Sequence, residues 1–299
     1  MLTSVPNLPT GWHRSLARTL FPFAVAALAL VGPCCSQSVA SDNPLDLCRY
    51  SLVWSDEFDD LSIGNWRLEG KRWTAHTPWA GDFGDARFLD PGSSPGAFEV
   101  RDGVLRITAQ RDETGKWTSG LIAAADETGA GSGLRYGYFE ARMRVSAGPG
   151  TWPAFWLYSL KPRSDPRPNV EFDALEFYGH DPAGYYAAWH VYDKKADGKQ
   201  VGGDLKRIPI PDGSFSKEFH TIGVEVTPAQ VTYFFDRKPV WQHDTPKELD
   251  TPLFPLADLA LGSGYSIQHT PNPSVLELDY VRIYAPETAT KRRSCKAQP

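Results

Sequence analysis

The chain has 299 residues, 41% of them hydrophobic, with a formal charge of −5 at pH 7. That length allows one large domain or two small ones, and that hydrophobic fraction excludes wholesale disorder. No basic excess exists beyond the run Lys291-Arg292-Arg293, so the positive footprint of a nucleic-acid partner is missing.

From the N-terminus, Arg14 and Arg18 precede an apolar run from Leu20 to Val31, and Ser38-Val39-Ala40 follows. Positive start, short apolar middle and small-residue end predict a secretory signal peptide over residues 1–40, with a secreted or periplasmic mature protein over 41–299. The apolar run is too short to span ~30 Å of hydrocarbon, and no later segment is long enough, so no membrane span is expected. Lipid attachment at Cys34 or Cys35 would be the alternative route; Pro33 directly before Cys34 argues against it. After cleavage only Cys48 and Cys295 remain, near opposite ends of an exported chain, which predicts a disulfide between them.

The remainder reads as short strands separated by turn residues. Phe98–Val100 and Val104–Ala109 flank the hairpin signal Asp102-Gly103. Strands follow over 136–145, 154–158, 170–178 and 185–192, then over 220–226, 231–236, 239–243 and 275–284. No segment past residue 40 carries a capped helical period, and no linker or repeat divides the chain. Many strands at short spacing imply an all-β sandwich or barrel in a single domain. Ten Trp, twelve Tyr and fifteen Phe suit a large aromatic core, with a remainder free to line a groove, and composition alone does not separate the two. Some of these flat apolar rings suit a groove that stacks on sugar faces.

The segment Val170-Glu171-Phe172-Asp173-Ala174-Leu175-Glu176-Phe177 is anomalous as a structural strand. Alternation puts Glu171 and Asp173 on one face and Glu176 on the other, among apolar neighbours, where a lone carboxylate is costly. A β-bulge at Ala174-Leu175 returns Glu176 to the face of the other two. Three converging acids suit glycosidic cleavage, with one ionised nucleophile, one proton donor, and a neighbour that raises the donor's pKa. This assigns Glu171 as nucleophile, Glu176 as acid/base and Asp173 as the coupling residue. A hard metal ion is the chemical rival, but ligands in a row along one strand cannot surround an ion unaided.

Glu171-x-Asp173-x-x-Glu176 resembles the signature of glycoside hydrolase family 16 in its bulged, laminarinase-like form. Tyr136–Arg142, Gly150–Leu157, Asp56-Glu57-Phe58 and Leu278–Tyr284 match the family's other strands in order. The resemblance implies a β-jelly-roll sandwich of two antiparallel sheets with a concave substrate cleft. It also implies a polysaccharide substrate, with endo-acting, retaining cleavage of β-1,3 or mixed β-1,3/1,4-glucan. A transglycosylase or a non-catalytic sugar-binding jelly roll are the alternatives, the last disfavoured because all three acids are present. It places Trp152 and Trp156 at subsites and His190 beside the acids, with no cofactor for catalysis. It further implies a structural calcium held by Glu57, the Gly103 carbonyl and Asp279. Departures from the laminarinase pattern fall at residues 76–86, where Trp79 and Asp85 become candidate substrate contacts, at Tyr138, also a candidate contact, and at Ala257–Ala260. The first resembles bacterial members that act on acidic exopolysaccharides. Nothing indicates an obligate partner, so a monomer is expected.

Overall fold

The computed structural model describes residues 44–287 except 80, 147 and 197. The expected signal peptide and Cys295 lie outside the described residues. The described residues open with a 3-10 turn, Leu47–Arg49, and strands β1 (Tyr50–Asp56), β2 (Ile63–Gly64), β3 (Trp73–Thr74) and β4 (Arg87–Phe88). Next come β5 (Phe98–Arg101), β6 (Val104–Arg111), β7 (Trp117–Ser119), β8 (Leu121–Ala123) and β9 (Gly137–Val145). The middle of the fold is β10 (Thr151–Ser159), β11 (Asn169–Glu176), β12 (Gly184–Asp193) and β13 (Lys199–Pro209). A short helix, α1 (Ser214–Lys217), precedes β14 (His220–Val226), β15 (Gln230–Phe235), β16 (Lys238–Asp244), β17 (Leu253–Leu261) and β18 (Ser274–Pro286).

Two sheets form a sandwich. One runs β16-β15-β14-β9-β18-β6-β7-β4, with β1 beside β18 and β5 beside β6; the other runs β13-β12-β11-β10-β17-β8-β3-β2. The jelly-roll expectation holds, with one amendment: β2 with β3 and β4 with β7 pair in parallel. These are two-residue contacts made by loop segments folding back on the sheets, where hairpin connectivity does not dictate direction.

Alternation builds the core between the sheets. Phe139, Ala141, Met143 and Val145 of β9 face Phe155, Leu157, Val170 and Phe172 of β10 and β11 in one buried cluster. The Asp102-Gly103 turn forms as expected, with φ of 55° and 73°, the left-handed pair that a two-residue hairpin requires. No described helix is long and apolar enough to cross a membrane.

Candidate active site

The bulge sits in β11. Asp173 opposes Ala188 and Glu176 opposes Tyr186, so two residues, Ala174 and Leu175, face a single partner position on β12. On the other side Leu175 opposes Phe155 while Asp173 opposes Trp156, which again leaves Ala174 extra. Val170, Phe172, Leu175 and Phe177 therefore enter the core, each at most 1% exposed. Glu171, Asp173 and Glu176 all turn to the opposite face. Without the extra residue either Glu176 or the other two acids would occupy the apolar side.

That face carries a cavity of about 180 Å³ lined by the three acids with Trp79, Phe83, Trp152, Ala154, Trp156 and Asp258. Trp152 Nε1 donates to Glu176 at 3.2 Å, and the Tyr178 hydroxyl donates to the same oxygen at 3.1 Å. Tyr192 donates to Glu171 at 3.3 Å. His190, opposite Glu171 on β12, brings Nε2 to 3.3 Å from Asp173 Oδ2. Burial, together with Asp173 and Glu176, raises the pKa of Glu171 above the ordinary carboxylate range. Burial first, then the Asp173 charge, pushes Glu176 up to about 7. With Glu171 and Glu176 both held above the ordinary carboxylate range, the two carboxyls carry less than two full charges at neutral pH. One ionised and one protonated carboxyl in the same cavity is the state that acid/base chemistry uses.

Two wall residues escaped the sequence reading. Phe83 packs edge-on against Trp152 and Trp156, at 5.6 Å and 6.1 Å between ring centroids. Asp258 is fully buried in β17, accepting from Trp156 Nε1 at 2.9 Å and from the Ala260 amide at 3.1 Å; burial pushes its carboxyl up to about 8. Its signal was available: an acid in the apolar strand Leu253–Leu261 is the anomaly that singled out β11.

The other candidates divide. Trp79, Trp152 and Trp156 stand at the cavity, and His190 reaches Asp173. Tyr138 does not take part. It follows the alternation of β9 onto the outer face of the other sheet, fully buried under Tyr50, Phe234 and Tyr284, with its hydroxyl on Glu140 at 2.7 Å. Asp85 is exposed and lies off the cavity wall, its amide bonded to the Leu261 carbonyl at 2.8 Å. There the loop runs so close to β17 that a Cβ on Gly84 would meet the Leu261 carbonyl oxygen at 2.6 Å, which draws Asp85 to the strand end.

The residues expected to hold calcium gather at one stretch of β18. Asp56 opposes Val281 and Leu105 opposes Leu278, which directs Glu57 and Gly103 towards Asp279. Both carboxylates are already taken: Arg282 forks onto Glu57 at 2.9 and 2.8 Å, and Arg142 donates to Asp279 at 2.6 Å. As they stand these donors do not fit a calcium ion, which would have to displace two guanidinium groups. A second group able to reach one ion, Glu171, Asp173 and His190 with ligand atoms within 4.8 Å, coincides with the acid cavity itself.

Fold and site together define a jelly-roll sandwich with an aromatic, polyacidic cleft. The family model for glycosyl hydrolases family 16 matches residues 93–267, and the chain belongs to that family. Relatives include an endo-1,3-1,4-beta-glycanase of Rhizobium meliloti, 29% identical over 81% of this chain and 53% of that protein. This chain thus spans about half the length of that relative. A beta-glucanase of Rhodothermus marinus is 27% identical over 91% of this chain and 95% of its own. Among solved structures, the catalytic domain of an endo-1,3-beta-glucanase from Thermotoga petrophila superposes with a TM-score of 0.61 at 25% identity, over 80% of this chain and 99% of that one.

Proposed function

We propose that the protein is an endo-acting, retaining β-glycan hydrolase that cleaves β-1,3 or mixed β-1,3/1,4-glucan. The observation that carries this is the β11 bulge, which turns Glu171, Asp173 and Glu176 onto one face of an aromatic cavity. The names of the Rhizobium and Rhodothermus relatives support the substrate class. The Glu171 carboxylate attacks the anomeric carbon as the glycosidic C–O bond breaks, and the departing oxygen takes the Glu176 proton. Glu176, now a carboxylate, removes a proton from water, which attacks the same carbon and frees Glu171. Burial first, and then Asp173, held against His190, keeps Glu176 protonated. Trp79, Trp152 and Trp156 offer ring faces to the sugars.

The test is reducing-end release from laminarin and mixed-linkage glucan by wild type and by Glu171→Gln. Turnover that the folded variant lacks supports the reading; binding without turnover in wild type would leave a sugar-binding jelly roll instead. Added acceptor oligosaccharide separates hydrolysis from glycosyl transfer.

Export and a Cys48–Cys295 disulfide belong to the same proposal. The Glu287 amide donates to the Arg49 carbonyl at 2.8 Å, so the described chain ends beside the turn that bears Cys48. Closing so long a loop would stabilise the fold by about 4–5 kcal/mol in the chain-entropy model. Two free thiols in denatured, unreduced mature protein would remove the disulfide.

A further inference from the structure

Beside the acid cavity lies a second recess of about 190 Å³, and Trp79 lines both. Its wall includes Trp79, Tyr158, Lys161, Arg163, Asn169 and Lys194, and no Asp or Glu. Asn169 precedes Glu171 by two residues on β11, so the recess opens about 7 Å along the strand from that carboxylate. The Trp79 ring, 4.4 Å from Tyr158 and 5.9 Å from Trp156 between centroids, stands between the two.

The charge in this recess is one-sided. Lys161, only 8% exposed, donates its ammonium to the carbonyls of Arg167 and Pro168 at 2.5 and 2.7 Å. Lys194 likewise donates to the carbonyls of Arg163 and Asp165. Carbonyls satisfy the N–H groups and leave the positive charge in place. The nearest acids are spent elsewhere, since Arg167 forks onto Asp165 and pairs with Asp250. The Arg163 guanidinium has no side-chain partner among the described residues, and none of the three cations forms an ion pair there. Burial lowers the pKa of Lys161 to about 8, so it remains charged at neutral pH. An aromatic wall beside three cations that form no ion pair among the described residues, two residues along the strand from a polyacidic cleft, suits an oxyanion.

We propose that this recess is a subsite for an anionic substituent, a carboxylate or sulfate ester, carried by the β-glycan that lies in the adjoining cleft. This rests on the hydrolase reading only for the polymer, because binding can be measured without turnover. The full chain carrying Glu171→Gln is titrated with laminarin, carboxymethyl-laminarin and sulfated laminarin of matched length, at low and at 0.5 M salt. The expected result is at least tenfold tighter binding of one or both anionic polymers, weakened by salt and abolished by adding Arg163→Glu. Lys194→Gln should reduce the preference several-fold; if it fails to fold, Arg163→Glu suffices, because that residue is exposed and its side chain forms no ion pair among the described residues. Carboxymethyl against sulfate names the group. Equal affinities, no binding to any polymer, or a preference untouched by Arg163→Glu would overturn the subsite. Turnover by wild type is read separately: hydrolysis without anion preference removes only this inference, and anion preference without hydrolysis removes only the hydrolase.

Discussion

In the proposed reaction Glu176 is the proton donor, and its surroundings give that role a sign. With its pKa raised to about 7, the acid form is lost as pH rises through neutrality. The kcat/KM profile should therefore fall above about pH 7. The Trp152 hydrogen bond favours the ionised form and lowers that value, so Trp152→Phe should move the alkaline limb to higher pH. Glu176→Gln should cost about 10²–10⁴-fold in kcat. A carboxyl raised on folding contributes stability that is fully present below its unfolded value near 4.5 and lost as pH rises through the folded value. The Glu176→Gln variant should accordingly melt higher than wild type at pH 8, with the gap closing at pH 5. At Asp258 both partners are donors, Trp156 Nε1 and the Ala260 amide, whereas an Asn offers one acceptor oxygen. Asp258→Asn should destabilise the fold by about 1–3 kcal/mol in urea titrations.

At the scale of elements, β11 was readable from sequence because burying an acid is costly enough to force a bulge. The same logic reaches Asp258, since one acid among eight apolar residues of β17 demands a purpose. Tyr138 shows where the reading failed. A motif position does not say which face of which sheet a residue takes, and β9 alternates Tyr138 away from the cleft. Local hairpins such as β5–β6 and the meander β14–β15–β16 follow from turn residues between neighbours. The pairs β9·β18 and β10·β17 join segments about a hundred or more residues apart. No local signal specifies them, and the aromatic wall depends on them because Trp156 meets Asp258 only across β10·β17. Deleting Ala174 tests the bulge directly. The shortened strand must send either Glu176 or the Glu171–Asp173 pair into the core, so turnover should vanish and the urea midpoint should drop. A folded, active deletion would show that the bulge is dispensable.

Across the whole molecule, the two sheets divide their polar work. The eight-stranded sheet gathers Glu171, Asp173 and Glu176 in the cleft, none of them ion-paired to Arg or Lys among the described residues, while its partner pairs Glu140, Glu277 and Asp279 with Arg237, Arg144 and Arg142. Glu140 is fully buried there and accepts from Tyr138, from Tyr280 at 2.9 Å, and from Arg237 on both oxygens. Arg237→Ala would leave that carboxylate without its cation and should cost about 3–5 kcal/mol. Because Arg282 and Arg142 already hold Glu57 and Asp279, EDTA should leave the melting temperature unchanged. A lower melting temperature restored by calcium would show that the ion displaces the guanidinium groups. The central claim, displacement at the anomeric carbon by Glu171 with Glu176 as proton donor, is tested most directly by proton NMR of mixed-linkage glucan in the first minutes of digestion. The account predicts new reducing ends that appear as the β-anomer and only later equilibrate by mutarotation. New ends appearing first as the α-anomer, or no new ends while the polymer stays bound, would contradict it.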